Sequence, residues 1–421
     1  MGKSYDRKII PLMSSIVQNL PTHLSSRTEE EYASAVGLYV HIPFCRSKCN
    51  YCAFVSAAPR SEGEMDRYLE ALCHHLCLGA SWIGSRKIQT IYFGAGTPSL
   101  FGPKRLSILF ETISNHFSIL PDAEITLEAN PESASQELFQ TLHSLGLNRV
   151  SLGAQSFTDR ELQRLGRVHS AGEITRAVEN ARNAGLTNLS LDLIFALPDQ
   201  SLQQWQDTLM QALTCKPEHL SLYGLTYEDG TLLERLRIQQ KVTPVLDETY
   251  RMMYDWTCDY LKDQGWIQYE ISNWCVPGKH SRHNRIYWQR EDYLSVGISA
   301  HGMIDNVRYS LIRDGGKYTH QLLNGKESSD FDFWHPALME EKIKLSSEEM
   351  ASDVMIFGLR QNEGISCPSF KDRFGYFPSD RWGKEIERLV ERGWLEQTVD
   401  CLRLTSQAVP ISNEVFIYFL D

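Results

Sequence analysis

The sequence predicts an α/β protein: a partial (β/α)6 barrel followed by a smaller α+β domain that is winged-helix-like. Two observations predict this fold. From Gly37 to about Thr226, short apolar runs of β type alternate with stretches that are apolar at three- and four-residue spacing. Such alternation implies parallel strands joined by right-handed crossovers. Beyond about residue 235 the alternation stops, and helical patterns are followed by a hairpin pattern.

The elements of the barrel can be assigned in chain order. The six strand candidates are residues 38–42, 90–93, 125–128, 150–153, 189–195 and 220–225. The amphipathic stretches between them include residues 105–117, 136–145, 174–184 and 202–213. Six units are fewer than the eight of a closed barrel, so the barrel is expected to be open on one side. Polar residues follow the predicted strands, at the edge where such folds carry their chemistry.

The rest of the chain is predicted to be mainly helical. Helices are expected at residues 246–261, 348–359, 382–392 and 412–419, with a hairpin at 393–405 and a polar connection at 315–332. The predicted domains are a leader at 1–36, the barrel at 37–235, a core extension at 236–310 and the C-terminal domain at 311–421.

Composition excludes several classes of protein. A hydrophobic content of 42% and a charged content of 23% are typical of soluble globular proteins. The net charge of −11 disfavours sequence-independent binding of nucleic acid, which needs a basic face. No window approaches the length of apolar chain that spans a membrane. The apolar stretch of the leader is short, is broken by Pro11 and lacks a signal-peptide cleavage site, which predicts a cytosolic leader.

The cysteines indicate a cluster site in a reducing compartment. Cys45, Cys49 and Cys52 have the spacing C-x3-C-x2-C directly after the first predicted strand, and the other seven cysteines are scattered. Three thiolates can hold three irons of a 4Fe–4S cube and leave the fourth iron open. A structural zinc site would need four ligands, and no second cysteine pair with the required spacing lies nearby.

This cysteine loop resembles that of the radical S-adenosylmethionine (SAM) enzymes. The lead-in Tyr-Val-His-Ile-Pro-Phe before Cys45 is similar to the branch that contains coproporphyrinogen dehydrogenase and HemW. The resemblance implies that the open iron chelates the methionine part of SAM. It also implies that one electron from the cluster can cleave SAM to a 5′-deoxyadenosyl radical.

Phe54 separates the two members of that branch. The dehydrogenases have C-x3-C-x2-C-x-C, and Phe54 stands in the place of the last cysteine. The pattern with phenylalanine resembles the HemW family, which is regarded as a family of haem chaperones. The resemblance covers most of the chain from Leu38 onward, including the segments 270–273, 277–278, 281–288 and 412–416.

The resemblance also implies residues that contact SAM. The segment 94–98 is similar to the family's glycine-rich motif, although Ala95 stands where a glycine is more usual, which puts a tight main-chain curve in doubt. The positions that match SAM-contacting positions of the family are Tyr39, Tyr51, Ala95, Gly96, Thr97, Glu128, Gln155, Arg167 and Asp192. Carboxylates suit ribose hydroxyls and arginine suits a carboxylate. The alternative is that the polar residues cap helices and that the tyrosines are ordinary core.

The pattern His-Asn-x-x-Tyr-Trp at His283, Tyr287 and Trp288 implies a haem site. Imidazole is a common axial ligand of haem iron, and the two aromatic rings would supply apolar contact. Outside this pattern, a histidine in an Arg-His-Asn run is more often a surface residue or a structural hydrogen-bonding group. His301 is a second candidate for the haem ligand.

Together these features predict a cytoplasmic haem chaperone that carries a 4Fe–4S cluster, SAM and haem. The expected partners are haem, an acceptor haemoprotein and an electron donor such as flavodoxin or ferredoxin. Association with a membrane surface is expected only through the acceptor, and no nucleic acid is expected. The alternatives are oxygen-independent coproporphyrinogen III dehydrogenase, a haem-modifying radical SAM enzyme and a DNA-binding regulator that uses the winged-helix-like tail.

Overall fold

The computed structural model describes residues 35–325 and 330–420. The predicted leader at 1–36 lies outside these residues apart from its last two positions. Within the described chain the main body is one large sheet covered by helices, and the C-terminal region carries a second, small sheet. No helix in residues 35–325 or 330–420 is both long and apolar enough to cross a membrane.

The strands of the main sheet include the six that the sequence predicts. They are β1 (Val36–Ile42), β2 (Lys87–Ala95), β3 (Ser118–Ala129), β4 (Arg149–Gln155), β5 (Leu189–Phe195), β6 (His219–Gly224), β7 (Ile267–Glu270), β8 (Asn273–Cys275), β9 (Tyr293–Val296), β10 (His301–Ile304), β11 (Val307–Leu311) and β12 (Met339–Lys344). The small sheet contains β13 (Ile365–Ser366), β14 (Leu395–Gln397) and β15 (Cys401–Leu404).

The helices follow the strands in the expected alternation. In chain order they are α1 (Glu62–Ile83), α2 (Gly102–His116), α3 (Gln136–Ser144), α4 (Asp159–Leu165), α5 (Ala171–Asn183), α6 (Leu202–Thr214), α7 (Leu232–Ile238), α8 (Asp247–Asp263), α9 (Arg282–Trp288), α10 (Gly315–Gly325), α11 (Ser347–Gly358), α12 (Cys367–Phe374), α13 (Pro378–Glu391) and α14 (Ser412–Phe416). The prediction of a polar connection at 315–332 is wrong for residues 315–325, because helix α10 occupies them.

The sheet confirms the predicted partial barrel. Strands β1 to β6 are neighbours in sequence order, and each pair is parallel. The sheet then continues at both ends: β9 pairs with β1 in parallel, β10 to β12 follow it antiparallel, and β8 and β7 close the other end. Because β7 to β12 all join this sheet, it runs across the boundaries predicted at 235/236 and 310/311.

Alternation along β1 shows how the sheet separates a core from a polar interior. Leu38, Val40 and Ile42 are fully buried, and they share one face of the strand because side chains alternate with period two. Tyr39 and His41 lie on the other face, towards the inside of the barrel. Parallel strands must be covered on both faces, so the helices take the apolar face and the interior is left for polar and aromatic groups.

The C-terminal region has the predicted α+β arrangement. Strand β15 lies between β13 and β14, and helices α11 to α13 pack around this sheet on buried Phe370, Trp382 and Leu389. Ser346 begins α11 with a capping box that includes Glu349, which explains why the predicted start of this helix is nearly correct. All ten cysteines of the chain are free thiols.

Candidate functional site

A cavity of about 590 Å³ opens at the carboxyl ends of the barrel strands. Cys45, Cys49 and Cys52 line one side of it. The predicted SAM residues that also line it are Tyr51, Ala95, Gly96, Glu128, Gln155, Arg167 and Asp192. The fold thus brings together residues that are up to about 150 positions apart in the chain, because the ends of parallel strands meet at one edge.

The loop that carries the cysteines is fixed by its own ends. Cys45 donates its backbone N–H to the carbonyl of Ala57 at 3.1 Å, and Ala57 donates to the carbonyl of Pro43 at 3.0 Å. A bridge between Phe44 and Ala57 closes the base of the loop. The three thiols therefore project from a short closed loop rather than from a free connection.

Gly96 joins this loop to the end of β2. Its N–H donates to the carbonyl of Ile42 at 3.0 Å, and a Cβ at position 96 would lie only 2.7 Å from the carbonyl carbon of Pro43. Backbone atoms cannot move aside as a side chain can, so only glycine fits here. The glycine-rich motif is therefore required for close contact with the cysteine loop, independently of any ligand.

Ala95 adopts a backbone conformation that suits glycine. Its φ is 98°, so the main chain does make the tight curve that seemed doubtful for a residue with a methyl side chain. The curve directs the N–H of Ala95 to Oε2 of Glu128 at 3.0 Å. Strained residues of this kind persist where the surrounding structure holds them, and they concentrate at functional sites.

Glu128 is the carboxylate at the centre of the cavity wall. Its Oε1 accepts a hydrogen bond from the hydroxyl of Tyr92 at 2.8 Å. Burial raises the pKa of Glu128 to about 7, and the nearby Asp192 raises it further, while the bonds from Tyr92 and Ala95 act in the opposite direction. Glu128 can therefore change its charge near neutral pH.

Arg167 lies between the cysteines and the wall of the cavity. One guanidinium nitrogen is 3.4 Å from Sγ of Cys49, and another donates to Oδ1 of Asn130 at 2.6 Å and to the carbonyl of Gly153 at 2.9 Å. This cation can hold the carboxylate of a ligand next to the thiols.

Asp192 and Gln155 complete the polar wall. Asp192 accepts hydrogen bonds from Ser151 at 2.9 Å and Ser190 at 3.3 Å, and burial raises its pKa. Gln155 is buried and has a φ of 65°, at the end of β4. Both residues present oxygen atoms that suit hydroxyl groups.

Two of the predicted SAM residues lie behind the cavity wall. Tyr39 stacks on Tyr92 and on His283, with ring centroids 6.2 and 6.4 Å apart. The hydroxyl of Thr97 donates to Sγ of Cys45 at 3.6 Å and accepts from Asn130 at 3.0 Å. These contacts position other residues of the site.

The three residues predicted to bind haem do not line this cavity. The ring of His283 is fully buried; Nδ1 is 2.7 Å from the hydroxyl of Thr90, and Nε2 is 2.7 Å from the hydroxyl of Tyr287. Both ring nitrogens therefore have partners in this conformation, and burial lowers the pKa of His283 to about 3. Trp288 stacks on Phe357, 6.2 Å away. The haem assignment stays a prediction.

The cavity also contains residues that the sequence reasoning missed. The segment 223–226 lines it, and Glu228 and Ser56 line it as well. The segment 223–226 could have been found from the sequence, because it contains the end of the predicted sixth strand, and strand ends carry the site in such folds. Ser56 could not be found from spacing, because the fold of the cysteine loop places it there.

The residues present fit a 4Fe–4S cluster and SAM. Three thiols on one side of a cavity match the number and type of donors that such a cluster takes from protein when one iron is open. Burial raises the pKa of Cys45 and Cys52, so iron would have to stabilise their thiolates. The cavity volume is within the range of roughly 300–1,000 Å³ found for small-molecule sites.

Comparisons with known proteins agree with this geometry. A model of the radical SAM superfamily matches residues 39–212, and a model of the HemN C-terminal domain matches residues 345–411. The heme chaperone HemW of Bacillus subtilis is 32% identical over 384 residues, which are 91% of this chain and 98% of that protein. A mitochondrial radical S-adenosyl methionine domain-containing protein 1 of Bos taurus is 32% identical over 91% of this chain and 87% of its own.

A solved structure agrees at the level of the fold. HemN, the coproporphyrinogen III oxidase of Escherichia coli described as a radical SAM enzyme, superposes with a TM-score of 0.78 over 93% of this chain and 92% of its own, at 20% identity. The heme chaperone HemW of Escherichia coli is 38% identical over 64% of this chain and 70% of its own. With 32% identity to a curated HemW across nearly all of both chains, this protein belongs to the HemW family.

Proposed function

We propose that this protein is a haem chaperone of the radical SAM type, which binds haem and passes it to an acceptor haemoprotein. The observation that carries the proposal is the similarity to a curated heme chaperone HemW along 91% of the chain. A radical SAM protein of this family carries a 4Fe–4S cluster and SAM, and the cavity offers both the thiols and the polar wall that they need.

Phe54 supports the chaperone over the dehydrogenase. Its side chain is 66% exposed and lines the cavity two residues after Cys52. A phenyl ring at this position can bind neither iron nor a proton. Where the dehydrogenase pattern has a fourth thiol, this chain has an apolar group, so dehydrogenase chemistry that depends on that thiol is not available.

In the proposed site, Cys45, Cys49 and Cys52 hold the cluster. A bound cluster supplies one electron to SAM. Arg167 is suited to pair with the carboxylate of the methionine part, because its guanidinium already lies beside Cys49. Glu128 is suited to the amino group of the ligand, and Asp192 and Gln155 to its hydroxyl groups. Tyr51 covers the cavity from the cysteine loop.

The proposed partners follow from this role. An acceptor haemoprotein takes the haem, and a small electron donor such as flavodoxin or ferredoxin reduces the cluster. We place this activity in the cytoplasm and expect contact with a membrane only through the acceptor. We keep His283, Tyr287 and Trp288 as predicted haem residues, with the condition that the ring of His283 must first lose its two hydrogen bonds.

The test is a haem titration on protein whose cluster has been reconstituted anaerobically. The haem spectrum is followed together with SAM cleavage, in the presence of coproporphyrinogen. We expect one haem per chain, transfer of intact haem to an apo-haemoprotein, and no decarboxylated product. Formation of protoporphyrinogen with release of methionine and 5′-deoxyadenosine would instead identify a dehydrogenase, and chemically altered haem would identify a haem-modifying enzyme.

A further inference from the structure

The side-chain amide of Asn130 joins two residues that reach the thiols of the cysteine loop. Asn130 directly follows β3 and lines the cavity. Its Nδ2 donates to the hydroxyl of Thr97 at 3.0 Å, and its Oδ1 accepts from the guanidinium of Arg167 at 2.6 Å. That hydroxyl lies 3.6 Å from Sγ of Cys45, and that guanidinium lies 3.4 Å from Sγ of Cys49. One amide thus connects the groups that contact two of the three thiols.

The chemistry of the partners fixes the direction of these hydrogen bonds. A guanidinium only donates and a carboxylate only accepts, so the amide oxygen of Asn130 must face Arg167 and its nitrogen must face Glu132. The same nitrogen donates to the hydroxyl of Thr97, which leaves the proton of that hydroxyl for the sulfur of Cys45. Because linked hydrogen bonds polarise one another, the charge of Arg167 strengthens the whole chain.

A pair of buried side chains holds the amide in this position. Oε1 of Glu132 accepts from Nδ2 of Asn130 at 3.3 Å, and Oε2 of Glu132 lies 3.4 Å from Nδ1 of His169. Nε2 of His169 lies 3.2 Å from the carbonyl of Ala154 in β4. Burial acts to raise the pKa of Glu132, but the contact with His169 and the charge of Arg167 outweigh it and hold this pKa below its usual value. Glu132 is therefore a permanent acceptor for the amide at neutral pH.

Hydrogen bonds to sulfur and nearby charge set the reduction potential of an iron–sulfur cluster. The reduced cluster carries one more negative charge than the oxidised cluster, so donors and cations at the ligand sulfurs stabilise the reduced form. Thr97 supplies a hydroxyl donor to one thiol, and Arg167 supplies a cation to another. A residue that holds both of them in place therefore makes the cluster easier to reduce.

We infer that Asn130 is a positioning residue that raises the reduction potential of the cluster. It does so by holding Thr97 and Arg167 in their contacts with the cluster thiols, and Glu132 and His169 keep its amide in place. The inference rests on the cluster site of the proposed function and adds a residue outside the predicted cluster ligands and SAM contacts. It also connects the cluster to the SAM site, because Arg167 is the cation proposed to pair with the carboxylate of SAM.

The experiment measures the reduction potential of the reconstituted cluster by anaerobic redox titration of the full-length protein without SAM. The variants are Asn130→Ala, Thr97→Val and the double substitution. The control is Asn148→Ala, because Asn148 also makes two hydrogen bonds, to the backbone of Ile125 and Ala123, but lies at the amino end of β4, away from the cavity. The iron content and melting temperature of each variant show that the cluster and the fold are present.

We expect Asn130→Ala to make the potential more negative. The expected shift corresponds to about a tenfold fall in the equilibrium constant of reduction, which is about 59 mV for a one-electron couple. Thr97→Val should also lower the potential. The double substitution should lower it by less than the sum of the two single effects, because Asn130 acts in part through Thr97. Asn148→Ala should lower the melting temperature and leave the potential unchanged.

An unchanged potential in Asn130→Ala with a full complement of iron would overturn the inference. Fully additive effects of Asn130→Ala and Thr97→Val would also overturn it, because the two residues would then act independently. If Asn130→Ala assembles no cluster, Asn130→Ser replaces it. The shorter side chain cannot reach both Thr97 and Arg167, so the same negative shift is expected, and an unchanged potential again rejects the role.

Failure of the proposed cluster site has a different signature. Wild-type protein that takes up no iron under reconstitution would overturn that site and the inference with it. The potentials of the variants bear on Asn130 alone, since they are compared with a wild type that carries its cluster.

Discussion

The guanidinium group of Arg167 lies 3.4 Å from the thiol of Cys49. The same group bonds Asn130 at the end of β3 and the carbonyl of Gly153 in β4. One side chain thus ties the cysteine loop to two barrel strands. The cavity wall and the loop are therefore expected to respond together when this residue is changed.

Arg167→Lys should weaken SAM binding about tenfold, because one ammonium group cannot reproduce the fork that reaches Cys49, Asn130 and Gly153 at once. Calorimetric titration of SAM into the reconstituted protein measures this. Iron content per chain should remain unchanged, since the three thiols are intact. Arg164→Lys is the control, because Arg164 bonds Pro198 and Asp199 and does not line the cavity. Equal affinity in Arg167→Lys and wild type would contradict the assignment.

SAM affinity should rise with pH between about 6 and 8. The pKa of Glu128 is raised to about 7, chiefly by burial, so the side chain is neutral below that pH and anionic above it. SAM carries a sulfonium and an ammonium group, and only the carboxylate attracts them. Titrations at several pH values test this, and Glu128→Gln should bind SAM more weakly with little dependence on pH. A wild-type affinity that is constant over this range would exclude the role.

Ala95→Gly should raise the free energy of unfolding by about 1 kcal/mol. The φ of 98° costs an alanine about 1–3 kcal/mol, which exceeds the roughly 0.5–1 kcal/mol of chain entropy that glycine adds to the unfolded state. Urea unfolding of the apo-protein measures the difference. Ala129→Gly, at the end of β3 and without a positive φ, should destabilise instead. A loss of stability in Ala95→Gly would show that the strain is absent.

His283→Ala should lower the stability of the haem-free protein by about 3 kcal/mol. The substitution leaves a buried cavity and deprives the hydroxyls of Thr90 and Tyr287 of their partner. Tyr287→Phe, which removes one of these two bonds, should cost about 1 kcal/mol. Unfolding in urea without haem separates this structural role from haem ligation, since a pure ligand residue would leave the haem-free protein unchanged.

His301→Ala should change the Soret band of the bound haem. The imidazole of His301 is exposed at the start of β10, and its pKa is lowered by partial burial and by Arg313, so it is neutral and able to bind iron at neutral pH. His320→Ala, an exposed histidine of α10, provides the control. An unaltered spectrum in His301→Ala would remove it as the axial ligand.

Much of the fold was predictable because it depends on local patterns. The six parallel strands appear in the expected order because apolar runs and amphipathic stretches alternate along the first half of the chain. The helix α10 was missed because the segment 315–332 begins with two glycines, which read as a connection. The strands β9 to β12 were missed because they are short and owe their pairing to the edge of a sheet formed by distant residues.

The candidate site also has one part that the sequence predicts and another part that depends on the tertiary structure. The amino-acid sequence by itself predicts the cluster ligands, since Cys45, Cys49 and Cys52 are close along the chain and their spacing suits three irons of a 4Fe–4S cluster. Only the tertiary structure decided what surrounds them. It put Arg167 beside Cys49, bent the chain at Ala95 towards Glu128 and enclosed His283 between two hydroxyl groups. The physical reason is that spacing fixes contacts only within a loop or helix, whereas burial and charge depend on packing between distant strands.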